Sequence, residues 1–174
     1  HSVNYIKDVS SFRWENFFAT KYSILPWKRF DERGQNILVI PPTNAIWWYF
    51  NEYNWEKNIL EELKKYLSEE IFKNVRVRNK PNEPIVDKHG NYLGLKKNNE
   101  IKNIPLEEDL NSASIVIDYN SQVALDATLK GIPVIVDKHN SCFGLSFKLT
   151  DLNKGLNNPD FDIEPDRLHL FKWL

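Results

Sequence analysis

The chain has no methionine, one cysteine and only six glycines in 174 residues. A single cysteine, Cys142, rules out an internal disulfide, which fits a reducing compartment. Its setting, Asn140-Ser141-Cys142-Phe143-Gly144, offers no base nearby in sequence, so Cys142 is expected to be structural rather than a nucleophile. No apolar run approaches the roughly eighteen residues of a membrane span, and no signal-peptide pattern opens the chain. A cytoplasmic location is the expectation. The opening residue is His1, as expected of a processed, tagged or excised chain. A net charge of -1 provides no field to attract nucleic acid, and there is no basic stripe. No G-x-G-x-x-G follows the first apolar run and no Walker A motif occurs, which argues against nicotinamide dehydrogenases and P-loop NTPases. His89, His139 and His169 are too far apart for a ligand pair, so neither a metal nor another cofactor is expected.

What the chain does have is an alternation of short apolar runs with helical periodicity. Asn36–Ile40 is β-branched and continuously apolar, as suits a strand covered on both faces. Pro41 to Asn44 ends it, and a loop carries the chain past Trp47 to Phe50. Asn54 then caps a helix, with Trp55, Ile59, Leu60, Leu63, Tyr66 and Leu67 at helical spacing. Asn74–Arg78 reads as the second strand. Residues 82–103 form a polar excursion, with a hairpin pairing Ile85-Val86 near Tyr92-Leu93. Pro105 opens a short helix to Asn111. Ser114–Asp118 is the third strand, and a helix runs from Ser121 to Lys130. Gly131 caps that helix and Pro133 forbids its continuation. Pro133–Val136 is the fourth strand, and Glu164 to Trp173 a closing helix. Five of the six tryptophans precede residue 56, and residues 1–35 are rich in aromatics. Packing is the expected role of these rings, ahead of sugar stacking or a partner surface.

This order predicts one Rossmann-like three-layer α/β domain over residues 36–174, with a mainly parallel sheet. Residues 1–35 are expected to form an arm packed on it. In such sheets ligands bind beyond the carboxyl ends of the strands. The Tyr119-Asn120-Ser121 turn joins a buried strand to a helix start, where free N–H groups and the helix dipole favour an anion. Asn120 or Ser121 would bond a phosphate oxygen, or would simply cap the helix. Arg76 and Arg78 share one face of the second strand and Lys80 lies at its exit; Lys80 and Arg78 would contact a ligand, or the strand is a solvated basic rim. Thr43 would bond a ligand, or its loop would merely be stiff. Asp118 and Asp137 end strands; helix cap or surface turn is the expected role for both, ahead of base or ribose contact. No catalytic residue is assigned.

The stretch from Ser114 to Val136 resembles a recurring block of GT-B glycosyltransferases: strand, small polar turn, an S-x-x-A-L-type helix, then G-x-P-V. It looks closest to the capsule-type Kdo transferases, which use a CMP-sugar. The resemblance implies a donor phosphate at Asn120 and Ser121. Those enzymes carry His-Pro after an earlier strand; here Lys80-Pro81 stands at the matching place. A lysine holds phosphate as a point charge but is not the same proton donor at neutral pH. The order Pro26-Trp27, Gly34, Ile37-Leu38-Val39, Pro41-Pro42-Thr43, Arg78 to Pro81 and Tyr119 to Ala124 is also similar to a group of uncharacterised phage and bacterial proteins, over roughly residues 24–174. The implied function is glycosyltransferase-like binding of a nucleotide-sugar donor. Because GT-B enzymes use two Rossmann domains, a second domain or protein partner would supply the acceptor site. A non-catalytic interaction module and an epimerase-like enzyme are the alternatives.

Overall fold

The computed structural model describes residues 28, 32–97, 104–143, 146 and 149. The expected arm over residues 1–35 lies outside them except for Lys28 and residues 32–35, and the expected closing helix Glu164–Trp173 lies wholly outside. Lys28 donates its N–H to the carbonyl of Gly131 at 2.8 Å.

Four strands, β1 (Asn36–Ile40), β2 (Val75–Val77), β5 (Ala113–Asp118) and β6 (Val134–Val136), form a parallel sheet in the order β2-β1-β5-β6. The apolar runs dictate this. β1 and β5 are the inner strands; both runs are largely apolar, and apart from the half-buried Asn36 their side chains are buried on both faces. Ile37, Val39, Ile115, Ile117 and Ile135 point into one core. Leu38, Ile40, Val116, Val134 and Val136 point into the other. A bulge offsets β5 against β1 at Asn36/Ile37, and there Ser114 donates its hydroxyl to the Asn36 carbonyl at 3.0 Å.

Helices cover both faces. α1 (Asn44–Phe50), α2 (Trp55–Tyr66) and α3 (Glu69–Phe72) follow β1 and seal the first core with Trp55, Leu63 and Leu67. α4 (Leu106–Asn111) and α5 (Val123–Leu129) seal the second with Leu110, Ala124 and Ala127. The chain crosses from β1 outwards to β2, then back over β1 to β5. Crossovers of one hand running in opposite directions leave their helices on opposite faces, which yields the three layers. Burying each large side chain such as Leu63 or Ile37 contributes about 1.5–3 kcal/mol. The fold is therefore the expected Rossmann-like α/β layering.

α5 ends as its sequence dictates. Gly131 takes φ 74°, its N–H donates to the Thr128 carbonyl and that of Ile132 to the Ala127 carbonyl, and Pro133 follows. One expectation needs correction. The stretch from Asn44 to Phe50 is helical, not a loop, and it turns at Asn51 with φ 57°. Its run of alanine, isoleucine and aromatics has no polar face at helical spacing, so periodicity could not reveal it. The excursion does contain a hairpin, β3 (Asn82–Val86) with β4 (Tyr92–Lys97), antiparallel and bulged between Ile85 and Val86. Asn44 clamps it to α1: the Val86 N–H donates to its carboxamide oxygen and its own N–H donates to Glu83, each at 3.1 Å. Trp48 adds an indole N–H bond to the Lys88 carbonyl at 3.3 Å.

Gly34 packs directly on the backbone of Ser112, and a β-carbon there would overlap the Ser112 carbonyl group. Gly34→Ala is expected to cost about 1–3 kcal/mol, measured by urea denaturation; unchanged stability would contradict this packing.

Candidate functional site

Strand order reverses between β1 and β5, because one chain crossover leaves β1 leftwards and the next arrives on its right. In open parallel sheets that reversal opens a crevice beyond the carboxyl ends of the two strands. Pro41 to Asn44 leave β1 on one side of it, and Tyr119 to Ser121 leave β5 on the other.

The β5 turn is held by an internal anion. Asp118 is fully buried, and its carboxylate accepts from the Ser121 N–H at 3.0 Å, the Ser121 hydroxyl at 2.7 Å and the Ala124 N–H at 3.1 Å. The Val123 N–H donates to the Ser121 hydroxyl oxygen at 3.1 Å. Asn140, from the loop after β6, donates to Asp118 at 3.4 Å and to the Ser121 carbonyl at 3.3 Å. Its own carboxamide oxygen accepts from the Cys142 N–H at 2.9 Å. Three N–H groups at the start of α5 are thus bound within the protein, two of them by a carboxylate. Of the two roles open to Asp118, the structure gives it the helix cap. Burial pushes its carboxyl above the ordinary range, and the bonds from Ser121, Ala124 and Asn140 oppose that rise.

The candidate residues fall into two groups. Asn120 is half-buried and Lys80 is exposed; neither side chain bonds within the described residues, so both are open to a ligand. Thr43 is 6% exposed, and its hydroxyl makes no hydrogen bond among them either. The other three are engaged internally. Ser121 is held by Asp118. Arg78 pairs with the buried Asp109 and donates to the Ile104 carbonyl at 3.0 Å, which ties β2 to α4. Arg76 adds a looser contact to Asp109 at 3.5 Å, an ion pair without hydrogen-bond geometry. Tyr119 is fully buried, with Phe50, Trp55 and His139 around its ring at centroid distances of 6.0, 5.5 and 5.9 Å.

The Tyr119 hydroxyl is buried without a hydrogen-bond partner among the described residues. Burial, and then the nearby carboxylates of Glu52 and Asp137, push its pKa up to about 12. It is therefore a donor throughout the neutral range. His139 packs its ring on Phe50 at 4.2 Å, and Asp137 accepts from the His139 N–H at 3.2 Å. Phe50, His139 and Asn140 were missed by sequence reasoning. The spacing of Asp118 and Ser121 is the local signal for the cap; Asn140 lies 22 residues from Asp118 and leaves no local signal. Among the described residues no group of three or more His, Cys, Asp or Glu could hold a metal ion. None of their helices is long and apolar enough to cross a membrane.

Asp118→Ala strands the donors of Ser121, Ala124 and Asn140, and is expected to cost about 2–3 kcal/mol in urea denaturation. The pH dependence has a definite sign. The folded state holds the Asp118 proton more tightly than the unfolded chain. The stabilisation from protonating it is complete below the ordinary carboxylate range and is lost as pH rises through the folded value. Asp118→Asn should lack that segment of the stability–pH curve; a curve parallel to wild type would refute the assignment.

No family model, curated protein or solved structure matches the chain.

Proposed function

We propose that this chain is a glycosyltransferase-like domain that binds a nucleotide-sugar, of the CMP-sugar type, beyond the carboxyl ends of β1, β2 and β5. The observation that carries this reading is the reversal of strand order between β1 and β5, with Thr43 on one side and Asn120 on the other, both with side chains that make no hydrogen bond among the described residues. The resemblance of the Ser114–Val136 block to the donor-binding half of GT-B enzymes supports the same assignment.

Asp118 modifies how a phosphate would be held. The N–H groups of Ser121 and Ala124 already bind a carboxylate, so a donor phosphate would rely on side chains: the Lys80 ammonium as a point charge and Asn120 and Thr43 as hydrogen-bonding groups. Catalysis would need a base and an acceptor site from a second domain or partner. Tyr119, with its high pKa, would act as a donor and not as a base.

A second reading, an interaction module, draws on the β3–β4 hairpin. Tyr92, Leu93 and Leu95 are 64%, 65% and 52% exposed, an apolar face of the kind that marks protein contacts.

Thermal melting with CMP-sialic acid, UDP-glucose and GDP-mannose tests the first reading. At least one should raise the melting temperature by about 2–4 °C near saturation. Lys80→Ala should diminish that shift without altering the unliganded melting temperature, because Lys80 is exposed and pairs with no group among the described residues. If none of the three moves the melting temperature, the reading fails. In that case, concentration-dependent association abolished by Leu93→Lys would carry the second.

A further inference from the structure

The corner between α1 and α2 is unlike the rest of the helical layer. Asn51 turns the chain in the left-handed conformation, and α2 restarts at Trp55. Two adjoining cavities open there, of about 380 and 400 Å³, and both are lined by Tyr53 and Asn54. Each lies within the ordinary size of small-molecule sites. Tyr53 is 51% exposed and stands between them as an aromatic platform.

The chemistry of the smaller cavity is specific. Its lining adds Asn51, Glu52, Trp55 and Asn58 to Tyr53 and Asn54. The carboxamides of Asn51, Asn54 and Asn58 and the carboxylate of Glu52 make no hydrogen bond within the described residues. Asn54 stands at the helix start yet its side chain caps nothing. No lysine or arginine lines this cavity, and Glu52 would repel an anion. Glu52 thus disfavours an anion, and a ligand that satisfies this lining both donates and accepts, since each carboxamide offers two donors and an acceptor while Glu52 only accepts. Hydroxyl groups do both. The ligand must also present an apolar face to Tyr53, as the C–H face of a pyranose ring does.

The larger cavity continues along α2 past Trp47, whose indole N–H is buried with no acceptor among the described residues. An unsatisfied donor in a cavity wall is a group for which a ligand hydroxyl or bound water is the usual partner.

From these features we infer that the α1–α2 corner is a binding site for a neutral oligosaccharide, one sugar ring stacked on Tyr53 with its hydroxyls shared among Asn51, Asn54, Asn58 and Glu52. Thr43, Lys80 and Asn120 take no part, and Lys57 and Lys64 line only the larger cavity, so the inference stands apart from nucleotide-sugar binding.

The test is a titration of the full chain with maltotriose, cellotriose and triacetylchitotriose, followed through the side-chain amide signals of Asn51, Asn54 and Asn58 in ¹H–¹⁵N spectra. At least one trisaccharide should shift these signals. Tyr53→Ala should weaken that binding about tenfold, the loss of one aromatic contact, whereas Tyr53→Phe should preserve it. Tyr53 is half exposed, so both variants should keep the wild-type melting temperature. The inference is overturned if no trisaccharide moves these amides, or if Tyr53→Ala binds as tightly as wild type. Melting shifts with CMP-sialic acid or UDP-glucose that persist in Tyr53→Ala would leave the donor site intact while this one fails, which keeps the two failures distinct.

Discussion

The buried carboxylate of Asp118 is the interaction on which the carboxyl edge of this sheet depends. It sits at the end of an inner strand, so its backbone belongs to the sheet while its side chain belongs to the helix that follows. Through Asn140 the same carboxylate also fixes the loop after β6. One ionisable group thus joins a strand, a helix start and a distant loop. Isolated burial of a carboxylate is costly, and here several donors offset the cost. The arrangement also decides what the edge can offer a ligand. The amides of Ser121, Val123 and Ala124 are already taken, which leaves side chains as the larger part of what this edge can offer.

Much of the fold was legible in the residues. Three of the four strands of the main sheet, β1, β5 and β6, announce themselves as short, largely apolar and β-branched runs, because strands buried on both faces carry few polar positions to blur the pattern; β2, at the sheet's edge, alternates valine with arginine. The helix after β5 was equally readable, since Gly131 and Pro133 mark its end by backbone chemistry. α1 was hidden for the converse reason: seven residues without a polar stripe carry no period to detect. The bulge near Ser114 left no trace either, because a bulge is set by how two strands pair and not by one strand's composition.

The candidate site was legible in position more than in role. The strand-end rule picks out Thr43, Lys80 and Asn120 because they follow β1, β2 and β5, and chain order alone determines which loops lie at that edge. It cannot say which side chains are committed elsewhere. Arg78 looks like a cation awaiting a ligand until Asp109 is brought beside it from α4, 31 residues on. Tyr119 looks like part of an accessible turn until Phe50, Trp55 and His139 close around it. These partners arrive from separate elements, so tertiary packing and not local sequence decides the matter.

The β3–β4 hairpin separates stickiness from templating. Among the described residues each of its strands pairs only with the other, so their outer edges are open. Pro84 removes a backbone donor from one strand, and a bulge with Lys96 and Lys97 interrupts the other. Such edges are poor seeds for adding further strands, and they blunt amyloid-like growth from a segment that displays tyrosine and leucine to water. A molecule meeting this hairpin is left with its apolar face, where contact is made by side chains and growth by backbone pairing is stopped.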